Sequence, residues 1–185
     1  MKHVVVGVSG GIAAYKAADV VSRLVKENVE VRVAMTKNAT RFVTPLTFAS
    51  LSGHPVLIDD LVETDASIPH IAWARWADLV LIAPTTANTL ARLAHGFADE
   101  ALTALVLALE PNKAVLLAPA MNTRMWENPL VQRNLETLRA LDAGQRFDVI
   151  DPVSKRLACG EEGLGALAAP ERIVEAVLAR VAATR

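Results

Sequence analysis

Short runs of consecutive apolar residues constrain the fold of this chain more than any other feature. His3–Val8, Asp78–Pro84 and Ala114–Pro119 each carry a core of aliphatic residues or glycine without an interrupting polar position. Continuous apolarity, as opposed to strict alternation, is typical of a strand that is covered on both faces. The runs therefore predict strands of a parallel sheet with helices on either side.

Helical periodicity follows the first run. The residues spaced to form one apolar helix face are Ala17, Val20, Val21, Leu24 and Val25, and charged residues occupy the opposite face. Val29–Met35 then predicts a second strand. The segment is a strand–helix–strand unit, for which we expect a right-handed crossover.

Capping signals place further helices along the chain. A short helix is predicted within Thr44–Gly53, and others begin at Asn128-Pro129 and at Pro170. We expect Asp99 to cap a helix that is apolar almost all round, and is therefore buried between layers or subunits. Residues 59–69 contain four acidic residues and no basic residue, which predicts an exposed loop.

The alternation of strands and helices defines the fold class. Phe147–Ile150 predicts the last strand, and no repeat or low-complexity linker divides the chain. We therefore expect residues 1–185 to form one α/β domain, with a doubly wound, mainly parallel sheet in a three-layer, Rossmann-like sandwich. Ligands of such sheets bind at the carboxyl ends of the strands.

Composition narrows the range of functions. The chain is 52% hydrophobic and carries a net charge of -1, which disfavours disorder and non-specific nucleic-acid binding. Since we find neither a secretory signal nor an apolar stretch of the ~18 residues that a membrane span needs, we expect a soluble cytoplasmic protein. The single cysteine, Cys159, cannot form an internal disulfide, and the four histidines show no metal-ligand spacing, so no metal is expected.

A glycine-containing loop separates the first strand from its helix. Ser9, Gly10 and Gly11 lie where backbone N–H groups and the positive end of the helix dipole can hold an anion, and Ser9 adds a hydroxyl. A ligand that carries a phosphate fits this position. The alternative is a tight turn without a ligand, because the run matches neither the full dinucleotide fingerprint nor a Walker sequence.

Polar side chains also follow the two strands that end in Ala-Pro. Three hydroxyls and an amide lie within Thr85–Thr89, and Asn122 follows the next strand. These groups predict a shared crevice in which the Asn122 amide holds a substrate carboxylate; helix caps and an Asx-turn are the alternatives. Met125 and Trp126 are interpreted as packing residues.

His70 and Cys159 are the candidates for proton transfer. His70 precedes a buried strand and titrates near neutral pH, although a plain surface or helix-start position is the alternative. Cys159 lies among glycines and acidic residues in Ala158–Gly165, which predicts a mobile flap. Neighbouring acids discourage thiolate formation, and this favours a protonated thiol that donates a proton.

In this order and across nearly the whole chain, the motifs resemble those of the flavin-dependent cysteine decarboxylases. Gly7–Lys16 is similar to the family's opening segment, Thr86–Thr89 to its Ser-Ala-Asn-Thr flavin motif, and Pro119–Asn122 to its Pro-Ala-Met-Asn motif. His70–Asp78 resembles the segment of the active-site histidine, and Ala158–Gly165 the substrate clamp.

The resemblance implies FMN as the cofactor and phosphopantothenoylcysteine as the substrate, decarboxylated and then reduced to phosphopantetheine in coenzyme A biosynthesis. It assigns catalysis to His70, Asn122 and Cys159. The implied FMN-binding residues are Ser9, Gly10, Gly11, Thr36, Thr86, Ala87, Asn88 and Thr89. The implied substrate-binding residues are Met121, Asn122, Ala158 and Gly160. The resemblance also implies a homotrimer, or trimers assembled into a dodecamer, with the flavin at subunit contacts.

One departure and three alternatives remain. Ala166-Leu167 stands where the family commonly has Arg-Met, which removes a guanidinium from the clamp. The alternatives are a peptidyl-cysteine decarboxylase that stops at the enethiol, a non-catalytic flavin-binding regulatory subunit, and a flavin prenyltransferase. The combination of His70, Asn122 and Cys159 favours the enzyme that completes the reduction.

Overall fold

Five parallel strands form the central sheet, in the order β2-β1-β3-β4-β5. They are β1 (Lys2–Val8), β2 (Val29–Met35), β3 (Leu79–Thr85), β4 (Ala114–Pro119) and β5 (Phe147–Val149). The structure, a computed structural model, describes residues 2–58, 68–141, 145–156, 160 and 162–183. Because β2 lies on one side of β1 and β3 on the other, the strand order switches direction between β1 and β3, where open α/β sheets bind ligands.

Helices connect these strands in the described part of the chain. They are α1 (Ala14–Lys26), α2 (Pro45–Ser52), α3 (Pro69–Trp76), α4 (Ala87–Ala94), α5 (Ala101–Leu107), α6 (Thr123–Trp126), α7 (Pro129–Ala140) and α8 (Pro170–Ala183), with a 3₁₀ turn at Ala39–Arg41. The predicted amphipathic helix after β1 is confirmed as α1, and α2 ends at Gly53 in a left-handed conformation. None of the described helices is long and apolar enough to cross a membrane.

Alternate residues of the strands enter two apolar clusters, one on each face of the sheet. Val4, Val6 and Val8 of β1 pack on the face that α1 and α8 cover, whereas Val5 packs on the face of α5 and α7. Every residue of β3 and β4 is buried. The three-layer sandwich and the doubly covered strands predicted from the apolar runs are therefore confirmed.

Two local predictions are wrong. Asp99 does not cap α5: Glu100 occupies the N-cap position, and Asp99 pairs with Arg92 instead. Pro69 does not end a loop, because it is the first residue of α3; residues 59–67 of the predicted loop lie outside the described residues. After β3, the helix-cap alternative is confirmed at Thr86, the N-cap of α4.

β5 is also not the last strand. An antiparallel pair follows it, formed by β6 (Val153–Arg156) and β7 (Glu162–Ala166). The sequence conceals this pair because β7 contains two glycines and β6 is almost entirely exposed, so neither shows a buried apolar face. The predicted mobile flap is therefore, over residues 162–166, a paired strand.

Candidate functional site

A cavity of about 1010 Å³ lies at the carboxyl ends of β1, β3 and β4. This volume is at the upper end of the range of roughly 300–1,000 Å³ found for small-molecule sites. The lining residues are Gly10, Gly11, Ile12, Ala13, Tyr15, Lys16, Thr36, Asn38, Pro84, Thr86, Ala87, Asn88, Thr89, Arg92, Glu100, Ala120, Met121, Asn122, Met125, Lys155, Arg156, Gly165, Ala166 and Leu167. The three polar segments predicted from the sequence thus meet in one space.

The connection between β1 and α1 lines one part of the cavity. No side chain caps the N-terminus of α1, and its first turn contains no acidic residue, so the positive end of its dipole is not compensated there. A Cβ atom at Gly10 would lie 2.5 Å from Cβ of Asn38, which makes glycine a packing requirement. A Cβ at Gly11 would make only an ordinary contact of 3.5 Å with Thr86.

Ser9, a predicted cofactor ligand, is not among the residues that line the cavity. The side chain is fully buried, and its Oγ donates a hydrogen bond of 2.7 Å to the carbonyl oxygen of Pro84. Oγ of Ser9 also accepts a hydrogen bond of 3.0 Å from the backbone N–H of Thr86. Ser9 therefore holds the start of α4 against the end of β1.

Thr86 is both the N-cap of α4 and a cavity residue, and Thr89 lines the same cavity. Oγ1 of Thr86 accepts a hydrogen bond of 3.3 Å from the backbone N–H of Thr89, and the two hydroxyls lie 3.2 Å apart. Thr85 differs, because its buried hydroxyl donates to Ile82 within β3. At the end of β2, Thr36 lines the cavity and caps the following turn through a 3.2 Å hydrogen bond from Ala39. Hydroxyls already fixed by caps present a preorganised polar wall.

Asn122 forms the Asx-turn that its sequence allowed, and it also lines the cavity. Its Oδ1 accepts a hydrogen bond of 2.9 Å from the backbone N–H of Arg124, as the N-cap of α6, and the residue lines the cavity beside Met121. Because this cap holds Oδ1 against the backbone of α6, it fixes the direction in which the NH₂ group of Asn122 donates hydrogen bonds. Met125 also lines the cavity, contrary to the packing role predicted for it, whereas Trp126 is buried as predicted.

The β6–β7 pair packs directly on the Asn122 segment. The backbone N–H of Met121 donates a hydrogen bond of 2.9 Å to the carbonyl oxygen of Gly165. Gly165 has a φ of 145°, and a Cβ there would lie 2.3 Å from the Met121 carbonyl oxygen. A Cβ at Gly163 would lie 2.4 Å from Oγ1 of Thr123. Glycine is thus required at position 165 by both conformation and close approach.

Of the remaining predicted site residues, the two that the structure describes, His70 and Gly160, do not line this cavity. His70 is half-buried in the first turn of α3, and Gly160 has open space around it. Ala158 and Cys159 lie outside the described residues. Within the described part of one protomer, the cavity therefore contains the predicted carboxylate-binding group but not the predicted histidine.

The cavity also contains charged residues to which the sequence analysis assigned no role in binding. They are Lys16, Arg92, Glu100, Lys155 and Arg156. Lys16 ends the Gly7–Lys16 segment and Arg92 follows Thr89 by one helical turn, so their positions in the chain could have located both. Nothing in the sequence marks the other three as cavity residues. Arg156 and Lys155 face β7 from β6, and Ala166 lines the same cavity.

Arg92 and Glu100 shape the electrostatics of the wall near α4. The hydrogen bond from Arg92 lowers the pKa of the Asp99 carboxyl below its ordinary value. Desolvation raises the pKa of Glu100, an effect that the positive charge of Arg92 partly opposes. Oε1 of Glu100 is buried and has no hydrogen-bond partner among the described residues. The cavity thus holds a carboxyl group that is easier to protonate than one in water.

Comparison with known proteins identifies the cavity's relatives. A family model described as Flavoprotein matches residues 1–182. A probable phosphopantothenoylcysteine decarboxylase of Streptococcus mutans is 46% identical over 177 residues, which are 95% of this chain and 97% of that protein. The coenzyme A biosynthesis bifunctional protein CoaBC of Bacillus subtilis is 46% identical over 94% of this chain, but the match spans only 42% of that protein.

Solved structures give the same relationship. A cysteine-to-serine mutant of PPC decarboxylase complexed with pantothenoylaminoethenethiol superimposes with a TM-score of 0.83 and is 34% identical, covering 96% of this chain and 97% of that one. The FMN-dependent cysteine decarboxylase SpaF superimposes with a TM-score of 0.82 and is 31% identical, covering 100% of this chain and 97% of that one.

The close approach at Gly165 gives a testable prediction. We expect Gly165→Ala to detach β7 from Met121, because the added Cβ collides with a backbone oxygen that cannot rotate away. Hydrogen exchange of the Met121 amide should become at least ~10-fold faster. Gly53→Ala is the matched control, since Gly53 also has a positive φ of 74° but nothing within 4 Å of its Cβ position. Unchanged protection of the Met121 amide in Gly165→Ala would contradict the assigned packing.

Proposed function

The chain belongs to the flavoprotein family, and from that premise we propose that it is an FMN-dependent decarboxylase of 4'-phosphopantothenoylcysteine that yields 4'-phosphopantetheine for coenzyme A biosynthesis. The observation that carries the proposal is the cavity itself. It places an uncapped helix N-terminus, the Thr86–Thr89 wall and the Asn122 amide at the ends of three neighbouring strands. The proposed substrate and pathway are taken from the names of the relatives of this chain.

The described residues fit FMN. Gly10 and Gly11 line the cavity just before α1, where backbone N–H groups suit a phosphate. Thr36 and Thr86–Thr89 offer uncharged donors and acceptors for the ribityl chain and the ring. When bound, FMN supplies the electron acceptor that a C-terminal cysteine lacks, and it returns the electron pair at the end of the reaction.

Asn122 is the residue that we propose binds the reacting carboxylate. An amide donates hydrogen bonds without adding a counter-charge, so it orients the carboxylate while leaving it free to depart as carbon dioxide. The α6 cap holds the amide in place, and β7 covers the segment through the bond between Met121 and Gly165. We assign Met121 and the neighbouring turn to substrate contacts, with Ala158 and Gly160 as further clamp residues.

His70 is proposed to complete the site from a neighbouring subunit, where it assists proton removal or positions the substrate. It does not line the cavity of its own protomer. Three apolar cavity residues are exposed in the protomer, namely Ile12 at 61%, Tyr15 at 59% and Met125 at 47%. Exposed apolar surface at a cavity rim favours coverage by a second subunit. A homotrimer, or trimers assembled into a dodecamer, would supply that coverage.

The peptidyl-cysteine decarboxylase and the regulatory subunit are weaker candidates. The relatives at 46% identity carry the names of coenzyme A biosynthesis enzymes, whereas the peptidyl-cysteine decarboxylase EpiD is 21% identical and shares the fold alone. We propose a single decarboxylase domain over residues 1–185 that acts in the cytoplasm.

The activity and the role of Asn122 are tested together. FMN-loaded protein should convert phosphopantothenoylcysteine with loss of carbon dioxide, followed by mass spectrometry. Asn122→Asp should lower kcat/KM at least ~100-fold, because a second carboxylate repels that of the substrate, while aspartate still caps α6 and keeps the melting temperature and FMN content.

Asn128→Asp is the matched control for that experiment. Asn128 caps α7 in the same way, because its Oδ1 accepts a hydrogen bond of 2.9 Å from the backbone N–H of Leu130, and it does not line the cavity. A parent protein that binds FMN but releases no carbon dioxide would refute the activity. Turnover of Asn122→Asp within about twofold of the parent would remove Asn122 from the mechanism.

Mixed oligomers test the position of His70. His70→Ala and Asn122→Asp should each be inactive alone, but co-assembled in equal amounts they should recover about a quarter of the parent activity, because one intact residue can come from each subunit. The control is a mixture of separately purified oligomers that have not exchanged subunits. Absence of any recovery after verified co-assembly would place both residues in one chain's site.

Cys159 is proposed to donate the proton of the final reduction. Cys159→Ser should still decarboxylate the substrate but accumulate the enethiol, because a hydroxyl is a much weaker acid than a thiol. Mass spectrometry separates the enethiol from the saturated product by two mass units. Saturated phosphopantetheine formed at the parent rate would refute this role.

A further inference from the structure

A second, smaller cavity of about 300 Å³ adjoins the main one. The two share the lining residues Tyr15, Lys16, Lys155 and Leu167. The other lining residues of the smaller cavity are Asp19, Val153, Ala169 and Pro170. A ligand in the main cavity can therefore extend into the smaller one past two lysines.

The charge of the smaller cavity is positive in effect. Asp19, the one carboxylate among its described lining residues, is engaged by Arg23 in an ion pair of 2.9 Å, and the same guanidinium also pairs with Glu171. Lys16 and Lys155 have no carboxylate partner among the described residues; Nζ of Lys16 lies 6.0 Å from the centre of the Tyr15 ring. Two cations that face a cavity without a counter-ion favour an anionic ligand.

We propose that this second cavity binds the phosphate monoester of the substrate, between Lys16 and Lys155. The inference rests on the proposed function, whose substrate has a carboxylate at one end and a phosphate at the other. Asn122 accounts for the carboxylate in the main cavity. The rest of the substrate spans roughly 15 Å when extended, judged by the reach of about four residues of peptide, so its phosphate must leave the carboxylate-binding region.

The topology connects the two ends of the substrate. Lys155 lies on β6 opposite Gly163 of β7, and Gly165 of the same strand accepts the hydrogen bond from Met121. The strand pair that covers the Asn122 segment therefore also carries Lys155. The second lysine, Lys16, lies on α1. Binding of both ends consequently depends on one strand pair and one helix.

FMN also carries a phosphate monoester, and the structure favours a different place for it. The second cavity has neither Gly10 nor Gly11 in its lining, and none of Thr86–Thr89. These are the residues that provide backbone N–H groups and hydroxyls in the main cavity. Lys155 is accordingly assigned to the phosphate of the substrate rather than to that of the cofactor.

The test compares phosphorylated with unphosphorylated substrate on FMN-loaded protein. The measured quantity is the phosphate preference, defined as kcat/KM for phosphopantothenoylcysteine divided by kcat/KM for pantothenoylcysteine. Lys155→Gln and Lys16→Gln should each lower this ratio about tenfold, while Lys155→Arg should retain most of it. Lys26→Gln, at the far end of α1 and outside both cavities, is the matched control and should leave the ratio unchanged.

A binding measurement provides a readout without turnover. Calorimetric affinity for phosphopantetheine should fall about tenfold in Lys155→Gln, with little change in affinity for pantetheine. An unchanged phosphate preference, or an equal loss with both substrates, would overturn the inference. Weaker FMN binding with an unchanged preference would also overturn it, because the lysine would then serve the cofactor. A parent that decarboxylates neither substrate would instead refute the proposed function.

Discussion

Hydrogen bonds between the loops at the carboxyl edge of the sheet hold the candidate site together. The Ser9 hydroxyl joins the end of β1 to Pro84 and Thr86, and the Met121 amide joins the segment after β4 to Gly165 of β7. These bonds satisfy buried or half-buried polar groups that would otherwise cost free energy. They also fix the loops relative to one another before any ligand binds. The cavity is consequently preorganised by the same contacts that allow the loops to pack.

Most of the fold could be predicted from the sequence because its strongest signals are local. Continuous apolar runs located β1, β3 and β4, and capping residues located α2, α7 and α8. The failures have identifiable physical causes. Asp99 is a residue type that commonly caps helices, but it pairs with Arg92 instead. β6 and β7 could not be recognised as strands because β7 contains glycines and β6 is exposed to solvent. Tertiary pairing, not local propensity, decides both cases.

The sequence could predict those site residues whose positions follow directly from the strands of the main sheet. Parallel strands deliver their following residues to one edge, so Thr86 and Asn122 could be expected to meet there. Ser9 lies in the same region, but its side chain is turned inward because its hydroxyl donates a hydrogen bond to Pro84. The sequence does not show this hydrogen bond. Lys155 is the opposite case: only the pairing of β6 with β7 brings it to the cavity. Side chains that lie on the β6–β7 pair could therefore not be located from the predicted main sheet.

The distribution of charge separates the tasks of the cavity. In the proposed binding mode, the neutral amide of Asn122 holds the reacting carboxylate, since a cation held against it would stabilise the ground state and oppose loss of carbon dioxide. Lys16 and Lys155 would instead hold the phosphate, which does not react, without affecting the chemical step. Binding energy gained at a remote anion then orients the reactive group against Asn122. Strong electrostatic attraction at one end and weak, directional hydrogen bonding at the other are therefore compatible in one continuous site.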